Sequence, residues 1–279
     1  YFVKNQPIFY KDDTITPEHI EILKKIGLYG SLIDPLNILA VALLNFLTMG
    51  MLWAYLLKYR YALLNKTRLL IFLALSSIVL LFLARLLINI NIWYFPIVMF
   101  TLFYIIVFSD QTLTFMLLLY NCIFTALIFH FDFQVFFVLV FSVLCGIYFG
   151  RRITQRTDIT GAAFYTAVAT ILILLLVSWL AGNFVFNDFF FNSLKILGMA
   201  LISAIVVIGL LPYVEEYFNV ITSIKLLELS SPNMPLLKRL LIEAPGTYHH
   251  SIMVANLAEA AIERIGGNAL LARVAAYYH

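Results

Sequence analysis

Charge is what this sequence has least of. Only 12% of its 279 residues are Asp, Glu, Lys or Arg, and 63% are hydrophobic, where an ordinary globular domain carries about 25% charged residues. The mean hydropathy of +0.97 excludes a typical water-soluble domain and indicates an integral membrane protein. Cysteine is scarce too. Cys122 and Cys145 both lie in apolar runs, which excludes a disulfide framework and a zinc knuckle. Residues 1–33 are polar and of mixed charge, with no apolar core of a signal peptide. The net charge of +3 gives no basis for a nucleic-acid polymer as partner. The sequence opens on Tyr1 rather than Met and is read as part of a longer protein.

What is abundant is apolar runs of membrane length. A helix needs about 20 apolar residues to cross the hydrocarbon core. Seven candidates are present: Pro35–Leu57, Leu69–Ile88, Ile92–Phe108, Thr112–Phe129, Phe133–Phe149, Ala162–Ala181 and Leu194–Val214. Short polar breaks at Asn89–Asn91, Ser109–Gln111 and His130–Asp132 separate the middle ones, which are near the lower length limit. The loop after the first span holds Lys58, Arg60, Lys66 and Arg68, and the loop after the fifth holds Arg151, Arg152 and Arg156. By the positive-inside rule these loops are cytoplasmic, so the N-terminus is expected outside and the C-terminus inside. The expected fold class is all-α. Residues 34–214 form a seven-helix transmembrane domain in the lipid bilayer, between a membrane-proximal tail (1–33) and cytoplasmic linker helices (215–242).

Ionisable residues are nearly missing from within the spans. Arg85 lies close enough to a span end to snorkel, and Asp34, Asp110, Asp132 and Asp188 sit at ends or turns. A transporter or channel usually keeps ionisable groups along its path, so that reading is disfavoured against a membrane receptor.

Punctuation outside the spans predicts further helices. Thr16-Pro17-Glu18 reads as an N-cap, a first-turn proline and an acidic first turn, opening an amphipathic helix over 17–27 that includes His19. Pro212 is read as the membrane exit. Residues 225–229 continue a helix, Ser230–Asn233 is a loop, and Pro235–Glu243 is a short helix. Ala244–Gly246 breaks that helix, Thr247 caps another from Tyr248 to Ile265, Gly266–Asn268 ends it, and Ala269 starts the next.

The polar stretch from Glu243 carries His249 and His250, and the sequence closes on His279. Histidine is the commonest metal ligand. Adjacent helical histidines point about 100° apart, so one of the pair serves as ligand and the other as neighbour. Spacing alone leaves a metal site and plain surface histidines both open.

The run Glu243-Ala-Pro-Gly-Thr-Tyr-His-His-Ser-Ile252, with Val254-Ala-Asn-Leu-Ala-Glu259 and Leu271-Ala-Arg-Val-Ala-Ala-Tyr-Tyr-His279, resembles the start of the HD phosphohydrolase domain in the seven-transmembrane HD family, the PgpH type of cyclic di-AMP phosphodiesterase. Residues 225–237 resemble that family's linker, and residues 10–30 the end of its exported sensor domain. The resemblance implies that residues 243–279 open an HD domain. It makes His250 the first metal ligand and His279 the histidine of the His-Asp pair, with Thr247 and His249 supporting them and Arg273 tentatively facing substrate phosphate. The family expects an aspartate directly after His279 and further ligands beyond, so this stretch by itself is expected to be inactive. The implied cofactor is a divalent metal pair, Mn or Fe. The implied reaction is metal-assisted hydrolysis of cyclic di-AMP to linear pApA. Implied partners are an extracellular ligand of the sensor and a second copy of the chain. The rival from another class is a noncatalytic signalling scaffold with a degenerate HD domain; the residue after His279 separates the two.

Overall fold

The computed structural model describes Thr16, Pro17, Ile20, Glu21 and residues 35–279. It divides into two units, residues 1–51 and 52–279. In the first, Pro17, Ile20 and Glu21 are helical, and the Ile20 N–H donates to the Thr16 carbonyl at 3.2 Å. This agrees with a helix opening at Pro17; its remainder, His19 included, lies outside the described residues. Helix α1 (Pro35–Tyr59) also begins in this unit. Its residues up to Met51 are almost all exposed and, apart from Asn37, Asn45 and Thr48, apolar, as suits a lipid-facing helix.

The second unit is helical, and the described residues contain no β-strand. It holds α2 (Tyr61–Leu64), α3 (Thr67–Leu87), α4 (Ile97–Phe108), α5 (Gln111–Ile128), α6 (Phe133–Gly150), α7 (Arg156–Leu180) and α8 (Phe186–Phe218). The short helices α9 (Ser223–Leu229), α10 (Pro235–Glu243), α11 (Pro245–Arg264) and α12 (Ala269–Tyr277) follow. The chain is thus an all-α polytopic membrane protein, as expected.

The third expected span differs. Among the described residues, 6 helices are long and apolar enough to cross a membrane, and α4 is not one of them. Its 12 residues rise only about 18 Å, against a hydrocarbon core of about 30 Å. Two residues explain the shortening. The Asn91 side chain accepts from the Trp93 N–H at 2.9 Å and opens a 3-10 turn over Ile92–Tyr94. Pro96 then forces Phe95 into extended backbone. Irregular backbone at membrane depth is tolerated where protein buries it, and Ile92, Phe95, Ile97 and Val98 are all buried. Arg60, beyond the end of α1, pairs at 2.6 Å with Asp110, between α4 and α5, so α4 returns the chain to the end that α3 left.

Short as it is, α4 is the centre of the bundle. Every residue but Met99 is buried. Phe72, Phe100 and Phe108 surround Tyr104, whose hydroxyl lies 2.7 Å from Ser76 Oγ. Helix α6 approaches α4 through Gly146 and Gly150, a small-xxx-small pair. A Cβ on Gly146 would stand 2.7 Å from Thr101 Cγ2, and one on Gly150 2.9 Å from Ile105 Cγ2. On its other side α6 meets α7, where the Thr170 hydroxyl reaches Ser142 Oγ at 3.0 Å. The expected breaks serve as caps: Asp110 accepts from the Leu113 N–H at 3.0 Å, and Asp132 from the Gln134 N–H at 2.8 Å.

Pro212 does not mark the end of the last membrane helix. Helix α8 runs through it to Phe218 and ends on Asn219, which takes a left-handed conformation with φ 52°. Proline deprives the carbonyl four residues back, that of Ile208, of its helical partner. Arg156 Nη1 donates to that carbonyl at 3.4 Å, which is how the helix continues past the proline. Thr222 then caps α9, accepting from the Lys225 N–H at 3.1 Å.

Candidate metal centre

Helices α11 and α12 form a hairpin around the turn Ile265–Asn268. Gly266 supplies the left-handed backbone there, with φ 73°, and Asn268 caps α12 by accepting from the Leu271 N–H at 3.0 Å. Small residues let the helices meet: Ser251 and Ala255 are the buried positions of α11, and Val274 and Ala276 those of α12. A charged brace crosses the hairpin. Arg273 Nη1 donates to Glu259 Oε2 at 3.1 Å, and its Nε donates to the Tyr277 hydroxyl at 2.9 Å. The Tyr277 hydroxyl and the Glu259 carboxylate, against partial desolvation, push the Arg273 guanidinium further above its ordinary value, so it remains a cation.

The hairpin returns the chain end to the start of α11. The His250 and His279 rings, distant in sequence, have centroids 5.9 Å apart with an interplanar angle of 49°. Two imidazoles on one ion, with metal–nitrogen bonds of about 2 Å, have centroids roughly 5 Å apart, so the spacing suits a shared metal. His279 Nδ1 lies 2.6 Å from the Ala276 carbonyl. A carbonyl only accepts, so Nδ1 is the donor in this contact, and Nε2 is the nitrogen that faces away from it. Among the described residues, no group of three or more His, Cys, Asp or Glu side chains stands together, so the two histidines alone do not make up a metal site. A divalent ion fits them by donor type and tautomer.

The other site residues fall in distinct places. His249 is exposed and, one residue from His250, is turned about 100° around α11. Thr247 is not a cap. Helix α11 starts at Pro245, and the cap position is Ala244, with no side-chain hydrogen bond. Proline at the first helical position has the right φ and no N–H to satisfy, so the helix opens two residues before Thr247. Thr247 lies one turn ahead of His250 on the same face and is exposed. Arg273 is committed to Glu259 and Tyr277. Sequence reasoning gave no role to Glu259 or Tyr278, although both lie in the motif. The Tyr278 hydroxyl donates to the Leu229 carbonyl at 2.8 Å and ties the end of α12 to α9.

The bundle itself has two polar ends. Ser109, Gln111, Arg151 and Ser223 line a small cavity at one end, the end that also holds Arg60 and Asp110. At the other, a cavity of about 260 Å³ lies among Trp93, Asp132, Gln134, Phe184, Asp188 and neighbouring residues.

Residues 35–222 match the family model described as 7TM receptor with intracellular HD hydrolase. The chain belongs to this family. Its curated relatives include the cyclic-di-AMP phosphodiesterase PgpH of Bacillus subtilis, 41% identical over 140 residues, which cover 50% of this chain and 20% of that protein. The PgpH of Listeria monocytogenes is 38% identical over 133 residues, covering 46% of this chain and 18% of that protein. An uncharacterised protein of Synechocystis is 50% identical over 72 residues, covering 26% of this chain and 9% of that protein. The chain thus spans about a fifth or less of the length of these relatives. No solved structure matches it.

Proposed function

We propose that the protein carrying this chain is a membrane-bound phosphodiesterase that opens cyclic di-AMP to linear pApA. In this reading residues 243–279 begin its HD domain, and residues 34–214 form a seven-crossing receptor domain joined to it by the linker at 215–242. The observation that carries the reading is the meeting of His250 and His279 at 5.9 Å in a chain of the 7TM–HD family. The substrate is inferred from the names of the two PgpH relatives.

Hydrolysis adds a water oxygen to phosphorus and breaks one bond from phosphorus to a 3′ oxygen, which leaves with a proton. A bound pair of divalent metals, Mn or Fe, supplies phosphoryl polarisation and a nucleophilic water at neutral pH. Nε2 of His279, held in its tautomer by the Ala276 carbonyl, and the His250 imidazole would hold one side of that pair. Thr247 and His249 flank the ligand helix. Arg273 braces the hairpin through Glu259, and substrate phosphate is the alternative role for its charge.

The basic end of the bundle carries Arg60, Arg68, Arg151 and Arg156, while the far end's loop before α8 has only Lys195 nearby. The positive-inside rule then puts the basic end and the hairpin in the cytoplasm and the N-terminus outside. An extracellular ligand of the sensor, and pairing of two copies, complete the proposal.

The test is hydrolysis by the protein with its complete HD domain, with Mn²⁺ or Fe²⁺, on cyclic di-AMP and cyclic di-GMP. Turnover of the adenine substrate that vanishes with EDTA and in His250→Ala is the expected result. No turnover of either by folded, metal-loaded protein would overturn the reading in favour of a signalling scaffold.

A further inference from the structure

A line of polar contacts runs from the proline in the last membrane helix to the residue beside His279. It starts at the Ile208 carbonyl, which Pro212 leaves without a helical partner. Arg156, the first residue of α7, donates to that carbonyl through Nη1 at 3.4 Å. The same guanidinium grips Glu228 Oε1 through Nε at 2.9 Å and Nη2 at 2.7 Å. Glu228 is the next-to-last residue of α9, and Leu229 is the last. A final helical carbonyl has no partner within its own helix; that of Leu229 accepts from the Tyr278 hydroxyl at 2.8 Å. Tyr278 adjoins His279, whose ring faces His250.

We infer that Arg156, Glu228 and Tyr278 form a strut through which the membrane bundle sets the position of His279. Both outer contacts fall on carbonyls that their own helices leave without a backbone partner. The Ile208 carbonyl accepts from Arg156 because α8 passes Pro212 without a helical bond there. The Leu229 carbonyl accepts from Tyr278 because α9 stops at that residue. A shift of α8 at Pro212 moves the anchor of Arg156, hence Glu228 and the end of α9, hence Tyr278. These are positioning residues, since none touches the reacting atoms. The buried Glu215 accepts from the Thr222 hydroxyl and ties the end of α8 to the start of α9, so a shift at the end of α8 is carried into α9.

The strut deepens the phosphodiesterase reading and rests on it. Its test uses the protein with its complete HD domain in lipid nanodiscs. Mn²⁺ affinity is read from the electron paramagnetic resonance signal of free Mn²⁺, alongside kcat and KM on cyclic di-AMP. Arg156→Glu and Glu228→Arg, each alone, are expected to weaken Mn²⁺ binding about fivefold or more, in the range of ordinary coupling between sites. The double reversal is expected to recover most of the loss. Tyr278→Phe, which deletes one hydroxyl and leaves the ring, is expected to weaken binding in the same direction with KM little changed. Wild-type Mn²⁺ affinity in the single variants overturns the strut, as does a loss that the double reversal leaves in place. An inactive wild type overturns the phosphodiesterase reading itself, which separates the two failures.

Discussion

The bundle and the hairpin that follows it handle polar groups in opposite ways. Within the bundle, ionisable side chains stay at the ends, as in the Arg60–Asp110 pair, and the middle is filled by α4 and its aromatic neighbours. In the hairpin the roles reverse. The charged Arg273–Glu259 brace joins the two helices, while Met253, Leu257 and Ile265 are exposed. The bundle closes on itself by packing, and lipid accepts what it exposes. The hairpin brings two histidine rings together and leaves apolar side chains exposed. Stability and chemistry therefore occupy different regions, and substitutions should separate them.

The largest effect is expected in the hairpin. His279→Ala removes a proposed metal ligand, and since merely supporting groups cost about 10–100-fold, turnover of cyclic di-AMP by the protein with its complete HD domain is predicted to fall by more than about 100-fold. The thermal melt of the bundle in detergent should stay at the wild-type value; a parallel loss of bundle stability would erase the distinction. Next comes Gly146→Val in the bundle. The new side chain has Thr101 in its way, and overpacking of this kind costs about 1–3 kcal/mol. The melt should drop, while Mn²⁺ affinity of the folded fraction should hold.

Smaller effects concern the ends of helices. Asn268→Ala deletes the α12 cap, at about 1 kcal/mol, and hydrogen exchange at Leu271 and Ala272 should quicken. Asp110 offers a pH test of the basic end. Burial alone would raise its carboxyl, but the Leu113 amide, the Arg60 guanidinium and the Tyr55 hydroxyl outweigh it and hold it below the ordinary value. A depressed acid stabilises the fold above its unfolded value of about 3.9 and loses that contribution as pH falls through the lower folded value. Bundle stability in detergent should therefore decline below about pH 4 more steeply in the wild type than in Asp110→Asn.

Much of the bundle was legible in the sequence because lipid imposes a simple rule on length and polarity. Asn91, Asp110 and Asp132 marked the breaks and proved to be caps. The third expected span is the 12-residue α4, which is not one of the 6 helices long enough to cross a membrane among the described residues: Pro96 makes Phe95 extended, and apolar counting does not register backbone. Gly146 and Gly150 could have been read as a close-packing pair, yet nothing local named Thr101 and Ile105 of α4 as the opposing surface. That α8 continues as a helix past Pro212 to Phe218 is not legible locally, because Arg156, which donates to the Ile208 carbonyl, lies far back in the chain. Thr247 lost the cap to Ala244 because Pro245 already fixed the helix start. His250 and His279 were found by motif; their meeting depends on the hairpin, whose Gly266 and Asn268 turn was visible. The contacts of Glu228 and Tyr278 join residues with no sequence relation, and only the fold shows them.

His250 and His279 are proposed to serve one metal centre. Metal content by mass spectrometry, measured with cyclic di-AMP turnover on the protein with its complete HD domain, tests this in wild type, His250→Ala and His279→Ala. Bound Mn or Fe in the wild type, with metal and turnover lost together in both variants, is the expected result. Variants that keep wild-type metal content and turnover would contradict it.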